Sequence, residues 1–183
     1  ERLAAPAEFI QGYAQEALVP SIDLLCLHGA TVGDHRAPGY DPVAAVAADT
    51  AGLDPLLDWF QRQGGRAVLL TGSIFEAEAG QGTEPRTALS AYGQAKTLTR
   101  ERVGAAVRAR GLTFGRYVIP HPFGAWEKPG LTASLAGQWR AGQSARLLQP
   151  KLVRDFVPAD LLAAGYGAFA RQLLADGQDR VLE

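Results

Sequence analysis

Short apolar runs alternate with amphipathic stretches along the chain, and this alternation limits the fold more than any other feature. Residues 23–28 and 66–71 are short apolar runs that end in Gly or small polar residues, which is typical of strands buried on both faces. Residues 112–120 form a third such run. The stretches between them, 43–63 and 90–110, carry apolar side chains at helical intervals. This order predicts a three-layer α/β fold with a doubly wound parallel sheet.

The positions of glycine and proline residues agree with this order. Gly64 and Gly65 end the first predicted helix, and Pro55 is expected to kink or divide it. Right-handed crossovers would place the carboxyl ends of all the strands along one edge, where open α/β sheets bind ligands. Residues 74–88 and 120–130 are rich in turn-forming residues and are predicted to be loops over that edge.

Composition excludes several classes of function. A chain of 183 residues with 47% hydrophobic residues fits a single globular domain. The formal net charge of -1 and the lack of a Lys/Arg-rich run exclude nucleic acid and anionic membranes as partners. No apolar segment approaches the roughly 20 residues of a membrane span. The single cysteine, Cys26, lies in an apolar run, which predicts a core position and a cytoplasmic protein. His28, His35 and His121 have no metal-ligand spacing, so no metal is predicted.

A tyrosine and a lysine stand four residues apart at the start of the second predicted helix. Tyr92 and Lys96 therefore share one helix face, where the ammonium can favour the ionised phenol and lower its pKa from about 10. Such a phenol can act as an acid or base near neutral pH. Ser73 directly follows the second predicted strand, so its hydroxyl would reach the same substrate oxygen.

These residues resemble the extended short-chain dehydrogenase/reductase family, the NAD(P)-dependent epimerases and dehydratases that act mostly on nucleotide sugars. Four segments occur in the family's order, and a fifth resembles the strand and loop beside the nicotinamide. The segments, in the order given, are 23–30, 70–73, 92–96, 154–160 and 116–124.

The resemblance implies an enzyme that transfers hydride to or from NAD or NADP. Tyr92 would exchange a proton with a sugar hydroxyl, Ser73 would hold the oxygen, and Lys96 would grip the nicotinamide ribose. It further implies cofactor contacts from Gly29, Ala30, Thr71, Tyr92, Lys96, Ile119 and His121. The substrate contacts that it implies come from Ser73, Phe75, His121 and Arg154, the last of these on the diphosphate.

Two departures from the family pattern stand out. Ile74 and Phe75 replace the Asp-Glu pair of the dehydratases, which favours an epimerase or a reductase, with Glu76 or His121 as a second acid or base. The glycine-rich turn that receives the dinucleotide pyrophosphate does not occur in this sequence, so dinucleotide binding is expected to be poor. Residues 1–20 resemble the helix and linker before the middle of the sheet. The Rossmann-like domain is thus expected to be incomplete at both ends, with residues 120–183 contributing substrate-binding loops and helices.

Two other functions remain open. The first is a non-catalytic relative, a binding or regulatory subunit that lost the dinucleotide turn. The second is an α/β-hydrolase, because residues 24–34 resemble a His-Gly oxyanion loop, although residues 142–146 lack the last glycine of a nucleophile elbow. The family resemblance also predicts a homodimer through helices 43–63 and 91–110.

Overall fold

A parallel sheet with helices on both faces organises the chain in a computed structural model, which describes residues 22–31, 33, 37–79, 87–88, 90–125, 127, 130–145, 147, 150–151 and 153–183. The strands of the main sheet are β1 (Leu24–Leu27), β2 (Ala67–Ser73), β3 (Thr113–Ile119) and β6 (Arg180–Leu182). They pair in that order and always in parallel. Two shorter strands, β4 (His121–Phe123) and β5 (Phe156–Pro158), form a separate parallel pair. The helices are α1 (Pro42–Asp49), α2 (Leu53–Arg62), α3 (Ala91–Arg108), α4 (Leu131–Arg140) and α5 (Ala159–Asp176).

The side chains of β2 show why the sheet needs a layer on each face. Val68 and Leu70 point into a core that α2 and α3 complete, whereas Ala67 and Leu69 point into a second core. Phe169 and Leu173 of α5 complete the second core. Alternate residues of a strand face opposite sides, so a continuous apolar run requires cover on both. The predicted α/β fold with three layers is confirmed.

The helix predicted over residues 43–63 is divided, but Pro55 is not the cause. The chain leaves α1 after Asp49 and turns through Gly52, whose φ of 70° is left-handed. Pro55 lies in the first turn of α2, where its missing N–H has no intrahelical partner in any case. The break therefore precedes the proline.

The predicted loop over residues 120–130 contains β4, which pairs with β5. A strand of three residues has no measurable period, so the sequence did not predict it. Cys26 was expected in the core but is exposed on β1, where it lines a cavity. The predictions for residues 1–20 and for His35 lie outside the described residues, as does part of the segment 142–146.

No helix of the described ranges is long and apolar enough to cross a membrane. Within those same ranges, no three His, Cys, Asp or Glu side chains lie together as metal ligands would.

Candidate active site

The carboxyl end of β2 and the first turn of α3 bring Ser73 and Tyr92 together. Helix α3 begins after Ser90, whose hydroxyl accepts a hydrogen bond from the Gly93 amide at 3.1 Å. This cap fixes Tyr92 at the second position of the helix and Lys96 one turn later. The Tyr92 phenol lies within hydrogen-bonding reach of Ser73, the last residue of β2.

Gly93 allows α3 to approach the segment after β2 very closely. A Cβ at this position would lie 2.1 Å from the carbonyl oxygen of Phe75, well inside van der Waals contact. The Phe75 ring meets Tyr92 edge to face, with 6.3 Å between the ring centroids. The position of Tyr92 over Ser73 therefore depends on the missing side chain at Gly93.

Lys96 is buried, with 5% of its surface exposed, and its ammonium donates to the Thr71 carbonyl oxygen at 3.0 Å. Burial lowers the Lys96 pKa, against the opposing charges of Glu76 and Asp49. The expectation that the Tyr92 pKa lies below its usual value is wrong in this structure. Burial and then the Glu76 charge raise the Tyr92 pKa, and the hydrogen bond with Ser73 only partly opposes them. Tyr92 therefore carries its proton at neutral pH.

A chain of polar side chains joins the ends of β1 and β2 to α5. The Thr71 hydroxyl lies 2.8 Å from Nδ1 of His28 and donates to the Tyr166 hydroxyl at 3.4 Å. Burial is the main reason that the Tyr166 pKa is raised to about 12. His28 and Tyr166, together with Cys26, help to line a largely apolar cavity of about 500 Å³.

His121 connects the aromatic part of the site to Arg154. Its ring lies 5.8 Å from the Phe75 ring and 5.5 Å from the Phe156 ring, centroid to centroid. Its Nε2 is 2.7 Å from Nη1 of Arg154. A guanidinium has donors only, so Nε2 accepts and the imidazole proton lies on Nδ1. Burial, followed by the Arg154 charge, lowers the His121 pKa, which keeps the ring neutral at pH 7.

Nδ1 of His121 is buried and has no hydrogen-bond partner among the described residues. It is therefore a donor that faces no protein acceptor in this part of the chain. Among the described residues Arg154 forms no ion pair with Asp155 or Asp160, and its guanidinium contacts His121 instead.

The remaining predicted cofactor residues lie at the same edge of the sheet. Ile119 is the register partner of Ser73, and its carbonyl oxygen accepts from the Ile74 amide at 3.3 Å. Gly29 and Ala30 follow β1, and a Cβ added to Gly29 would meet no atom within 4 Å.

Glu76 does not have the surroundings of an acid or base that works on a substrate. It is 1% exposed, and its carboxylate bonds to the Ser73 amide and to Arg116. Sequence reasoning missed Arg116, although a charged residue within the apolar run of β3 was a signal that a buried partner exists. It also missed Tyr166, whose helix pattern carries no such signal.

The profile of the NAD dependent epimerase/dehydratase family matches residues 14–181, which is most of the chain. The chain belongs to this family. Membership excludes the α/β-hydrolase alternative and agrees with the motifs at Ser73, Tyr92 and Lys96. Comparison with curated protein sequences gives no significant match.

Solved structures of sugar-nucleotide epimerases share the fold of this family member. The UDP-N-acetylglucosamine 4-epimerase from Bacillus cereus is 14% identical, with a TM-score of 0.71 over 98% of this chain and 62% of its own. For the UDP-glucose-4-epimerase from Stenotrophomonas maltophila, which contains bound NAD, the identity is 19% and the TM-score 0.66 over 97% and 58%. The UDP-glucose 4-epimerase from Thermotoga maritima is 16% identical, with a TM-score of 0.64 over 89% and 55%. The chain thus spans between 55% and 62% of the length of these structures.

Proposed function

We propose that this chain carries the catalytic residues of an NAD(P)-dependent epimerase or reductase that acts on a nucleotide sugar. The observation that carries the proposal is the placement of Tyr92 beside Ser73, where the first turn of α3 meets the carboxyl edge of a parallel sheet. Lys96 is buried one helical turn from Tyr92. Open α/β sheets bind their ligands at this edge.

Tyr92 and Ser73 are proposed to act on one substrate oxygen. When bound, NAD(P) supplies the hydride acceptor for sugar oxidation and the hydride donor for the reverse direction. Tyr92 is protonated at neutral pH because its pKa is raised, so it is set to donate a proton to a sugar keto oxygen. Ser73 orients that oxygen through its hydroxyl, and the reverse reaction returns the proton to Tyr92.

The described residues fit the nicotinamide end of a dinucleotide. The Lys96 ammonium has three donors, of which one bonds to Thr71, and it can serve a ribose hydroxyl. The unpartnered Nδ1 of His121 is a second donor. Gly29, Ala30 and Ile119 are proposed to line the same place, since they lie at the same edge. These groups would hold NAD or NADP there.

The substrate half of the site is assigned to residues 120–183 as part of a single Rossmann-like domain. Arg154 is exposed beside His121 and is proposed to bind the substrate diphosphate, because a guanidinium suits bidentate phosphate contacts. Phe75 lies between Tyr92 and His121 and would pack against the sugar. Its place after Ile74, where dehydratases carry acids, favours epimerisation or reduction.

A homodimer through the stretch 43–63, which contains α1 and α2, and through α3 is part of the proposal. Helices α1 and α3 pack against each other, and each keeps an apolar side chain in contact with solvent. Val43 is 70% exposed and Leu98 is 44% exposed. Burial of these side chains against a second copy would remove that apolar surface from water.

Titration with NADH and NADPH, followed by fluorescence, tests the proposal. We expect binding that weakens at least about tenfold in Lys96→Met, because a charge-assisted hydrogen bond contributes roughly 1.5–3 kcal/mol. Lys151→Met is the matched control, since Lys151 is exposed. Slow conversion of UDP-glucose to another UDP-sugar in the presence of NAD would then establish that the protein is an enzyme. No binding of either nucleotide by the full-length protein would favour a non-catalytic subunit.

A further inference from the structure

An ion pair is buried directly beneath the proposed catalytic serine. Glu76 is 1% exposed and Arg116 is 5% exposed, so both charges are removed from water. Oε2 of Glu76 accepts from Nη1 of Arg116 at 3.3 Å. Burial of this kind is costly, and apolar replacements of buried ion pairs are often neutral or stabilising. Stability alone therefore does not explain this pair.

The other carboxylate oxygen of Glu76 contacts Ser73 in the proposed active site. Oε1 accepts from the Ser73 backbone amide at 2.7 Å, and the Glu76 amide donates to the Ser73 carbonyl at 3.0 Å. The Phe75 amide donates to the Ser73 hydroxyl oxygen at 3.3 Å. Glu76 thus holds the amide and the carbonyl of Ser73, and Phe75 holds its side chain.

Two neighbouring residues keep the Glu76–Arg116 pair next to Ser73. Nη2 of Arg116 donates to Glu183 at 2.6 Å, which fixes the far side of the guanidinium. A Cβ at Gly72 would lie 3.1 Å from Oε1 of Glu76 and 3.3 Å from Cγ of Arg116. The glycine before Ser73 therefore leaves room for the carboxylate to reach the serine amide.

We propose that Glu76 is a positioning residue for Ser73, and that Arg116 holds its carboxylate against the Ser73 amide. The pair fixes the turn 73–76 and so determines where the Ser73 hydroxyl meets Tyr92 and the substrate oxygen. This role rests on the proposed function of Ser73. It differs from the acid or base role expected for Glu76, because both carboxylate oxygens are bonded to the protein.

Two variants of Glu76 and one control distinguish its bond to the Ser73 amide from its bond to Arg116. Glu76→Ala removes the bond to the Ser73 amide, while Glu183 still pairs with Arg116. Glu76→Gln keeps a carbonyl oxygen for the Ser73 amide but presents an amide donor to Arg116, so its effect should be intermediate. Glu101→Gln makes the same chemical change in a Glu whose side chain is 59% exposed.

The first measurement is hydrogen exchange of the Ser73 amide by NMR in the full chain, and it needs no activity. We expect exchange at least tenfold faster in Glu76→Ala, with the amides of Val68 and Leu69 unchanged. Unchanged exchange at Ser73 in the Ala and Gln variants would overturn the proposal. If the Ala variant fails to fold, a weakened Ser73 amide bond in Glu76→Gln, seen as an upfield amide shift, supports it.

The second measurement is turnover of UDP-glucose with NAD. A misplacement of about 1 Å costs on the order of 100-fold in rate, so kcat should fall roughly 10- to 100-fold with KM changed less than threefold. Glu76→Gln should have a kcat between those of Glu76→Ala and the wild type. Glu101→Gln should have the kcat of the wild type. Normal kcat in Glu76→Ala would overturn the positioning role. If the wild type turns over no UDP-sugar, the proposed function fails, and the Ser73 exchange still decides whether the contact holds.

Discussion

Replacement of Gly93 by alanine should move the site residues on α3 away from those on β2. The new Cβ would lie 2.1 Å from the Phe75 carbonyl oxygen, whereas ordinary contacts are 3.4–4 Å. Since backbone lies on both sides of this contact, α3 must move away from the end of β2 by about 1 Å or more. Tyr92 and Lys96 move with the helix, away from Ser73 and Thr71.

The magnitudes follow from this overlap. Overpacking costs about 1–3 kcal/mol, and alanine returns about 0.5–1 kcal/mol of helix propensity relative to glycine. The free energy of unfolding should therefore fall by about 1–2 kcal/mol, measured by urea denaturation with circular dichroism. Turnover should fall on the order of 100-fold, because Tyr92 and Ser73 lose their alignment.

Gly137→Ala is the matched control. Gly137 also lies within a helix, and a Cβ there would meet no atom within 4 Å. This variant should be about 0.5–1 kcal/mol more stable than the wild type, with unchanged turnover. A Gly93→Ala protein as stable and as active as Gly137→Ala would refute the account of how α3 approaches β2.

Two further predictions concern charge and assembly. Arg154→Gln should raise the His121 pKa, because it removes the cation that disfavours the imidazolium, and an NMR titration in which the His121 pKa stays unchanged would contradict the contact. Leu98→Glu should convert a dimer to a monomer in light scattering at micromolar concentration, since it places a charge on the face proposed to be buried. A monomeric wild type, or a dimer in the variant, would contradict the proposed interface.

Strands β1, β2 and β3 could be predicted from sequence because each lies in a mainly apolar run. The run at β2 requires cover on both faces, and Val68 and Leu69 do face opposite cores. The break between α1 and α2 was assigned to Pro55, although proline is tolerated in a first helical turn and Gly52 makes the bend. Helix periodicity alone does not locate such a break.

The residues of the candidate site could be predicted from the sequence, but the direction of the Tyr92 pKa shift could not. The motif placed Tyr92 and Lys96 on one helix face, and the structure keeps them there. The direction of the Tyr92 pKa shift depends on burial and on Glu76, and both arise from contacts between β2 and α3 that no local pattern encodes. The pairing of Glu76 with Arg116 joins residues 40 positions apart and likewise required the fold.

The most direct test of the central claim is turnover of UDP-glucose with NAD by Tyr92→Phe. The variant keeps the ring beside Phe75 and loses only the phenolic oxygen that lies within reach of Ser73 and would exchange the proton. Tyr117→Phe is the control, because the Tyr117 hydroxyl bonds to the Leu162 carbonyl oxygen at 3.2 Å. We predict a loss of roughly 100- to 10,000-fold in kcat for Tyr92→Phe, with little change in the affinity for UDP-glucose, and near-normal kcat in the control. Wild-type kcat in Tyr92→Phe would contradict the proposed chemistry.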